Sequence, residues 1–548
     1  MRNTAGGASA EGGSTGRSVE ILDTTLRDGA QGEGIAFSIQ DKIAVVRALD
    51  ELGIPWIEAG NPGGSPKDAA FFSRAAEIPL EQARLCAFGP TRKPGLRPEK
   101  DPQVRRLLDS GAAALSVFGK SWDLQVTRVL RAGLEENLAM IGETVAYLKA
   151  RAGLVFFDGE HFFDGWKANP AYALSTLETA LKAGADRVIL CDTNGGSFPG
   201  EIAAAVRAAA DCLGPRGGRL GIHAHNDMGL AVANAIAAVE AGCGHVQGTL
   251  AGFGERCGNT CLAALLPSLE LKLGLPCLPE GRLPRLAEIT RRVAEVANLA
   301  LPASAPYVGT SAFSHKGGTH SDGVLKLSRS FEHIDPALVG NGRRLLMSEA
   351  GGRSAVAERA RKIDPSLTRD HPAVKALAEK LKTLEAEGWA FEGADASFEL
   401  LVRRELAARG RGRREPLFKI LAYRVMSEHP TGESIACSHA WVKVWVDGQD
   451  EIAAAEGDGP VHALDGALRR ALLRFYPQLG HIRLTDYKVR VIDGGAATAA
   501  KVRVLIETSG GPHTWTTLGV SEDIIDASRA ALVDSIEYKL MGDMEGPA

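Results

Sequence analysis

Residues 19–34, VEILDTTLRDGAQGEG, decide the fold. The aliphatic and β-branched residues at 19–24 are typical of a buried strand, and the chain then turns at once through TTLRDGAQGEG, residues 24–34. The first turn of an open, doubly wound sheet usually carries a glycine-rich loop that binds phosphate, and this turn does not have that spacing. The pattern therefore favours a closed barrel of strands over an open sheet.

Seven further strand-like runs follow the first, and helical stretches separate them. The runs lie at 56–59, 85–88, 114–118, 154–157, 187–191, 220–225 and 245–250. The helical stretches include 39–52, 134–150, 171–183, 201–212 and 230–241. Eight βα units of this length are typical of a (β/α)8 TIM barrel, whose functional side chains stand at the carboxyl ends of the strands. We therefore predict the α/β class, with a TIM-barrel catalytic domain at 18–280.

Composition divides the rest of the chain. Residues 281–412 contain a predicted helix, a Gly-, His- and Ser-rich loop and a helical pair, and we expect them to be linker subdomains that complete the active site. The polar residues 409–415 mark a boundary. At the other end, residues 1–17 have almost no large apolar side chain to bury and are predicted to form a disordered tail.

Residues 416–542 contain an internal repeat. The strand-like runs LAYRVMSE, AWVKVWVDG and EIAAAEGDG precede the helical run HALDGALRRALL. The runs DYKVRVID, KVRVLIET and HTWTTLGV then precede DASRAALVDSIEYKL. A (βββα)2 repeat makes a compact α+β module whose sheets need a partner surface. We predict that this domain serves dimerisation and the binding of a small regulatory effector.

Composition also limits the partners and the location. The net charge is −4 and no long run of Lys and Arg occurs, which argues against a nucleic-acid partner. The eight cysteines include no CxxC pair, and a reducing cytoplasm is the predicted location. No apolar run approaches the roughly 18 residues that span a bilayer, so we expect no membrane partner.

The most informative chemical pattern is HAHND at 223–227, which ends the seventh strand. His223 and His225 are two residues apart, so on a strand their side chains share one face and can bind the same ion. Asp28, at the mouth of the first strand, can complete a set that suits Mn²⁺, Mg²⁺, Zn²⁺ or Co²⁺ and leaves open positions for substrate oxygens. The alternative is a pair of ordinary hydrogen-bonded histidines.

Three other strand ends carry polar groups. Strand five ends in FFDGEHFFDG, where Glu160 is either a base or water-positioning group or part of a salt-bridged loop. Strand six ends in CDTNGG, where the Thr193 hydroxyl is placed to bind a substrate carboxylate or to cap a helix. Strand eight leads into GFGERCGN, where Asn259 opens a helix whose N-terminus favours an anion.

Together these motifs resemble the family of acyl-CoA:2-oxo-acid condensing enzymes that includes 2-isopropylmalate, citramalate and homocitrate synthases. The resemblance covers nearly the whole chain, through LDTTLRDGAQ, GIHAHNDMGLAVANAIAAVEAG, GFGERCGN, GGTHSDGVLK and the βββα tail. It implies a metal-dependent condensation of the co-substrate acetyl-CoA with a short 2-oxo acid. It also implies a homodimer with an amino-acid effector bound at the C-terminal domain.

The resemblance implies roles for individual residues as well. The residues of the metal site are Asp28, His223, His225 and Asn259, the last as a ligand or a close neighbour. Arg27 binds the 2-oxo acid and polarises the carbonyl under attack. Thr193 also binds substrate, and the base that deprotonates acetyl-CoA is drawn from Glu160 and His320. His320, in GGTHSDG, is the histidine that the linker region delivers over the barrel mouth, from the same or the partner subunit.

Within the family, FDGEHFFDGWK, EAGNPGGSPKD and FEHIDPALVGN look most like the citramalate synthase subgroup, which implies pyruvate as substrate and isoleucine as effector. The alternative is 2-isopropylmalate synthase, which uses 2-oxoisovalerate in leucine biosynthesis. A retro-aldol acyl-CoA lyase of the same barrel superfamily is more distant. One residue departs from the family pattern: Phe331 stands where a Tyr is common, which puts the role proposed for that phenol in doubt.

Overall fold

A closed barrel of eight parallel strands forms the first part of the chain. The computed structural model describes residues 17–75, 78–316, 318–345, 352–391, 393–411, 413, 415–428, 437–492, 500–510 and 513–545, so the predicted tail lies outside the described residues except for Arg17. Each strand pairs with the next, and β8 closes the barrel against β1. The strands are β1 (Glu20–Asp23), β2 (Trp56–Glu58), β3 (Arg84–Pro90), β4 (Ala114–Lys120), β5 (Leu154–Glu160), β6 (Arg187–Asp192), β7 (Leu220–Ala224) and β8 (His245–Gly248).

Helices connect the strands and cover the outside of the barrel. α1 is an example of how the sequence sets the ends of such a helix. The Ser38 hydroxyl and the Asp41 carboxylate form a capping box at its start, and Gly53 ends it at φ 90°. Its apolar residues recur at helical spacing, and Val45 and Leu49 are completely buried in the barrel core. The helices are α1 (Ile39–Leu52), α2 (Pro66–Ala75), α3 (Pro102–Leu108), α4 (Leu134–Lys149), α5 (Phe162–Ala168), α6 (Pro170–Lys182), α7 (Pro199–Leu213), α8 (Ala231–Ala241), α9 (Leu262–Pro267) and α10 (Leu286–Val296).

Side chains fill the interior of the barrel, so it is a packed core and not a channel. Leu22, Trp56, Phe156 and Ile189 belong to one buried interior cluster. The rings of Trp56 and Phe156 meet edge to face, with centroids 5.6 Å apart. At the amino-terminal end of the strands, the Trp56 indole donates a 2.9 Å hydrogen bond to the Glu20 carboxylate. These contacts help to close the amino-terminal end of the barrel interior.

The chain divides into two compact units. The first comprises the chain up to Phe313 together with Ile334–Arg343, and the second comprises Ser314–His333 and the chain from Arg344 onward. The predicted linker region 281–412 is therefore shared between them, because α10 belongs with the barrel and the helices after Arg344 do not. The domain limits at 280, 412 and 416 stay predictions.

The second unit begins with short elements and a group of helices. β9 (Ser314–His315) and β10 (Arg344–Leu345) form a small parallel sheet. The sequence patterns did not predict α12, and the predicted helical pair at 372–408 corresponds to α13 and α14. These three helices share a hydrophobic core that includes Leu518. The helices of this part are α11 (Gly318–Lys326), α12 (Gly352–Arg361), α13 (Pro372–Ala386) and α14 (Asp395–Ala408).

The C-terminal repeat forms two three-stranded antiparallel sheets, each followed by a helix. Alternate residues of the middle strand, such as Val442 and Val444, are completely buried in a core shared with the two helices. The first strand of each sheet contains a register shift, so the repeat extends to local irregularities. The elements are β11 (Lys419–Glu428), β12 (Cys437–Val446), β13 (Gln449–Gly457), α15 (Pro460–Leu473), β14 (Ile482–Val491), β15 (Val502–Gly510), β16 (His513–Ser521) and α16 (Ile524–Glu545).

The predicted fold class is confirmed. All eight predicted runs coincide with barrel strands, and the (βββα)2 module is present. The boundaries differ where the chain continues in the ladder, since β4 extends to Lys120 and β5 to Glu160. Glu160 is therefore part of the hydrogen-bonded strand β5 and not of the loop that follows it. In the part of the chain that the structure describes, no helix is both long and apolar enough to cross a membrane.

Candidate active site

Polar side chains from several strands meet at the carboxyl-terminal end of the barrel. Arg27 and Asp28 follow β1, Glu160 ends β5, and His223 lies on β7. The pocket between them is lined by Arg27, Asp28, Gln31, Phe88, Phe118, Asp158, Glu160, Cys191, Thr193, His223, His225 and Glu255. Six of the predicted site residues thus line one cavity. Asn259 and His320 are not among its lining residues.

Asp28, His223 and His225 form a compact buried cluster within this pocket. The Asp28 Oδ2 atom lies 3.2 Å from Nε2 of His223 and 3.8 Å from Nε2 of His225. The two Nε2 atoms are 3.4 Å apart. Three potential ligand atoms from the carboxyl ends of two barrel strands therefore lie close together, as the sequence pattern predicts.

Asp28 Oδ1 in this cluster and Asn259 Oδ1 are both buried and have no hydrogen-bond partner among the described residues. The Asn259 amide is oriented by its Nδ2 atom, which donates to the Phe253 carbonyl at 3.1 Å. Asn259 also pairs with His225 in an isolated β-bridge. Because buried acceptors without donors are unfavourable, a bound cation would stabilise both oxygens. Imidazole, carboxylate and amide donors together fit a divalent ion.

Arg27 is held between two carboxylates and an aromatic ring. Its Nε atom donates to Glu58 at 2.6 Å, and its Nη1 atom lies 3.2 Å from Asp28 Oδ2. Its guanidinium carbon stands 3.8 Å from the centroid of the Phe88 ring. Burial opposes the charge, but Glu58 and Asp28 hold the pKa of Arg27 above its usual value. The pocket therefore contains a permanent, rigidly placed cation.

The cluster is electrostatically polarised. Burial favours a neutral Asp28, but the Arg27 charge and a hydrogen bond from His223 drive the pKa of Asp28 well below its usual range. Burial also opposes a charged His223, yet the hydrogen bond to Asp28 and its charge raise the pKa of His223. Burial and the neighbouring His223 lower the pKa of His225 to about 4. Asp28 is thus a carboxylate and His225 is neutral near pH 7, as ligands of a cation must be.

Glu160 and Thr193 lie on the pocket wall. The Glu160 carboxylate forms an ion pair with Lys120 at the end of β4. The Thr193 hydroxyl oxygen accepts a 2.8 Å hydrogen bond from the His161 amide. Arg256 donates to the Thr193 carbonyl at 2.7 Å, which ties this turn to the loop after β8. Both side chains are therefore held in place at the rim of the pocket.

His320 belongs to the second unit and not to the barrel unit. Its imidazole stacks on Phe331, with ring centroids 4.4 Å apart and planes inclined by 26°. The residue that replaces the family tyrosine is therefore the direct neighbour of the predicted histidine. The contribution of His320 to the site stays a prediction.

The sequence motifs did not predict several residues that lie around the pocket. Glu58 ends β2, so the rule that strand ends carry function would have found it. Lys120 was missed because the predicted strand four stopped at residue 118. The Phe88 and Phe118 rings stack at 5.1 Å on the pocket wall, and Gln247 contacts His223 from within β8. Apolar residues and polar residues in the middle of a strand belong to no recognisable sequence motif, so their place in the site could not be predicted.

Three family models match the chain in succession. The HMGL-like model matches residues 18–291, which contain the barrel and the cluster. The homocitrate synthase post-HMGL domain-like model matches residues 307–388. The LeuA allosteric (dimerisation) domain model matches residues 392–540, which contain the βββα repeat. The order agrees with the resemblance read from the motifs.

Several relatives align over almost the full length of the chain. An (R)-citramalate synthase from Synechocystis is 49% identical, with 95% of this chain and 96% of that protein covered. An (R)-citramalate synthase from Aquifex aeolicus is 48% identical, with 96% and 98% covered. A probable 2-isopropylmalate synthase from Methanopyrus kandleri is 31% identical, with 94% and 97% covered. The chain therefore belongs to the HMGL-like family and, within it, to the citramalate synthases.

Proposed function

We propose that this chain condenses acetyl-CoA with pyruvate and hydrolyses the thioester, giving citramalate and CoA. The observation that carries the proposal is the Asp28, His223 and His225 cluster beside Arg27, in a chain that is 49% identical to a citramalate synthase over 95% of its length. The identity to the probable 2-isopropylmalate synthase is 31%, so pyruvate is preferred to 2-oxoisovalerate as the substrate. Citramalate would then serve isoleucine biosynthesis.

The pocket wall supports a small 2-oxo acid. The stacked rings of Phe88 and Phe118 present an apolar surface beside the charged Arg27. The methyl group of pyruvate can pack against such a wall. One or two methyl groups change binding by about 1–3 kcal/mol, so the preference is expected to be large but not absolute.

A divalent ion, Mn²⁺, Mg²⁺, Zn²⁺ or Co²⁺, would be held by Asp28, His223 and His225, with Asn259 contributing its amide oxygen. When bound, it supplies Lewis-acid activation of the 2-oxo group. The Arg27 guanidinium donates to the same oxygen as negative charge develops on it. The Thr193 hydroxyl hydrogen is free to donate to the substrate carboxylate, since its oxygen already accepts from a backbone amide.

The proton of the acetyl-CoA methyl group is removed by Glu160 or His320. The Glu160 carboxylate is held at the pocket wall by its ion pair with the Lys120 ammonium. Separate Glu160→Gln and His320→Gln variants distinguish the two. The one that acts as base is expected to lose deuterium exchange into the methyl group of acetyl-CoA in D2O, whereas the other keeps it.

The function is tested by release of free CoA thiol from acetyl-CoA, with added Mn²⁺ or Mg²⁺ and a panel of 2-oxo acids. Pyruvate is expected to give the highest kcat/KM, and a clear preference for 2-oxoisovalerate would overturn the assignment. Arg27→Lys is expected to lower kcat strongly because a lysine cannot keep the paired geometry. Arg84→Lys is the matched control, because Arg84 begins β3 at the closed end of the barrel.

The C-terminal domain is proposed to form a homodimer and to bind an amino acid that inhibits the enzyme. The match to the LeuA allosteric domain supports this, as do the apolar side chains exposed on its strands, among them Leu421, Ile452 and Val491. Isoleucine is the expected effector, and leucine is the expected one if the substrate is 2-oxoisovalerate. Light scattering measures the dimer, and thiol release with each amino acid added identifies the effector.

A further inference from the structure

Gln247 is a completely buried amide next to the metal cluster, and neither the motifs nor the proposed mechanism uses it. It lies on β8 directly opposite His223 of the neighbouring β7. Its Oε1 atom is 2.9 Å from the Nδ1 atom of His223. Its Nε2 atom donates to Oδ1 of Asp158 on β5 at 3.0 Å. One side chain thus links a candidate ligand to a carboxylate on another strand.

The direction of this link follows from hydrogen-bond chemistry. Both oxygens of Asp158 act as acceptors, Oδ1 from Gln247 Nε2 at 3.0 Å and Oδ2 from the Ser116 hydroxyl at 2.9 Å. The amide group of Gln247 must therefore turn its NH2 towards Asp158 and its oxygen towards His223. An amide oxygen cannot donate, so the His223 Nδ1 atom must carry the hydrogen. In the neutral imidazole that a cation requires, the lone pair is then on Nε2, the atom that faces Asp28 and His225. Without a cation, the same Nε2 atom donates to Asp28.

The second histidine lacks this arrangement. The Nδ1 atom of His225 is buried and has no hydrogen-bond partner among the residues that the structure describes. The chain of hydrogen bonds that runs from Ser116 through Asp158 and Gln247 ends at His223. It can therefore set the tautomer of His223 but not that of His225. Groups that hold a histidine in this way orient the ligand and raise its basicity.

We propose that Gln247 is a positioning residue that holds His223 in the tautomer with a hydrogen on Nδ1, so that Nε2 is presented to a divalent cation. The inference rests on the proposed metal site. It predicts that removing the two hydrogen bonds of Gln247 weakens cation binding even though Gln247 touches neither cation nor substrate.

The test uses the full chain and Co²⁺ alone, because the visible absorption of bound Co²⁺ reports the geometry of its ligands. Gln247→Met keeps the length of the side chain and removes both hydrogen bonds. We expect Co²⁺ to bind about 10–100-fold more weakly, with an altered spectrum. Gln40→Met, on the exposed face of α1, is the matched control and is expected to bind Co²⁺ like the original chain.

A double variant that exchanges the carboxylate and the amide distinguishes a positioning role of Gln247 from a general effect on packing. In the Asp158→Asn/Gln247→Glu double variant, the new asparagine donates to the new glutamate, and the glutamate accepts from His223 Nδ1, so the same tautomer is held. We expect most of the Co²⁺ affinity and the spectrum to return. The inference is overturned if folded Gln247→Met binds Co²⁺ as tightly as the original chain, or if the double variant remains as weak as Gln247→Met. Failure of the original chain to bind Co²⁺ would instead refute the proposed metal site.

Discussion

The loop after β8 depends on a glycine whose replacement should disturb the cluster in a predictable way. Gly254 has φ 154°, and a Cβ atom added there would overlap Asn259 Nδ2 and lie 3.2 Å from its Cγ. Asn259 is buried, with 2% of its surface exposed, so its amide has little space in which to move. Gly254→Ala should therefore displace the side chain that we propose as a further ligand of the cation.

The cost can be worked out from these contacts. The backbone conformation at Gly254 costs a residue with a Cβ atom about 1–3 kcal/mol, and overpacking adds about 1–3 kcal/mol. The two terms sum to about 2–6 kcal/mol, so at about 2–4 °C per kcal/mol the melting temperature of a barrel of this size should fall by roughly 4–24 °C. Differential scanning fluorimetry of the metal-free chain measures the shift. Gly200→Ala, whose added Cβ atom meets nothing within 4 Å, should leave it almost unchanged.

A double-variant cycle tests whether overlap with the Asn259 amide causes the loss of stability in Gly254→Ala. In Asn259→Ala the obstructing amide is absent, so adding Gly254→Ala should cost only the backbone term. Gly254→Ala should also weaken Co²⁺ binding in the original chain, but not further in Asn259→Ala. Equal destabilisation by Gly254→Ala in both backgrounds, to within about 0.5 kcal/mol, would refute the overlap as the cause.

Two further predictions concern buried charges. Burial alone would raise the pKa of Glu20, but its contacts with His245, Arg187 and Trp56 lower it from 4.5 to about 2. The stabilisation of the folded state by ionised Glu20 is present above pH ~4.5 and is lost as the pH falls towards 2. Glu20→Gln should therefore flatten the acid-unfolding curve between these two pH values. At pH 7 it should lower the free energy of unfolding by at most about 3 kcal/mol. Arg404 donates to two carboxylates of α16, including Asp534 at 2.7 Å. The Arg404 side chain is itself 43% exposed, so Arg404→Met should lower the stability of the second unit by about 1–3 kcal/mol in urea unfolding, because it leaves two buried carboxylates without their donor. An unchanged transition would contradict this.

The barrel could be predicted from the sequence because its signals are local. Buried parallel strands show as short apolar runs, and the polar residues at their ends stand out against them. The same logic predicted that Asp28, His223 and His225 lie together, since the two histidines share one face of a strand that ends at the mouth of the barrel. The structure brings these three side chains within bonding reach of one point.

Other parts of the site have no local signature. Gln247 is an ordinary polar residue in a strand, and its importance arises only when barrel closure places it between His223 and Asp158. Lys120 meets Glu160 because two neighbouring strands end at the same level. The predicted linker region is divided between two units, since residues far apart in the chain pack together. None of these relations depends on spacing along the sequence.

The sequence by itself determined the class of fold, the order of the domains and the chemical types gathered at the barrel mouth, because periodicity and composition act over a few residues. The tertiary structure alone decided how those groups are oriented and charged. The pairing of Arg27 with Glu58, the contact of Gln247 with His223 and the contact of Asn259 with the Phe253 carbonyl all depend on atoms that other segments bring within about 3 Å. Hydrogen bonds and ion pairs act only at that range, so three-dimensional packing decides them.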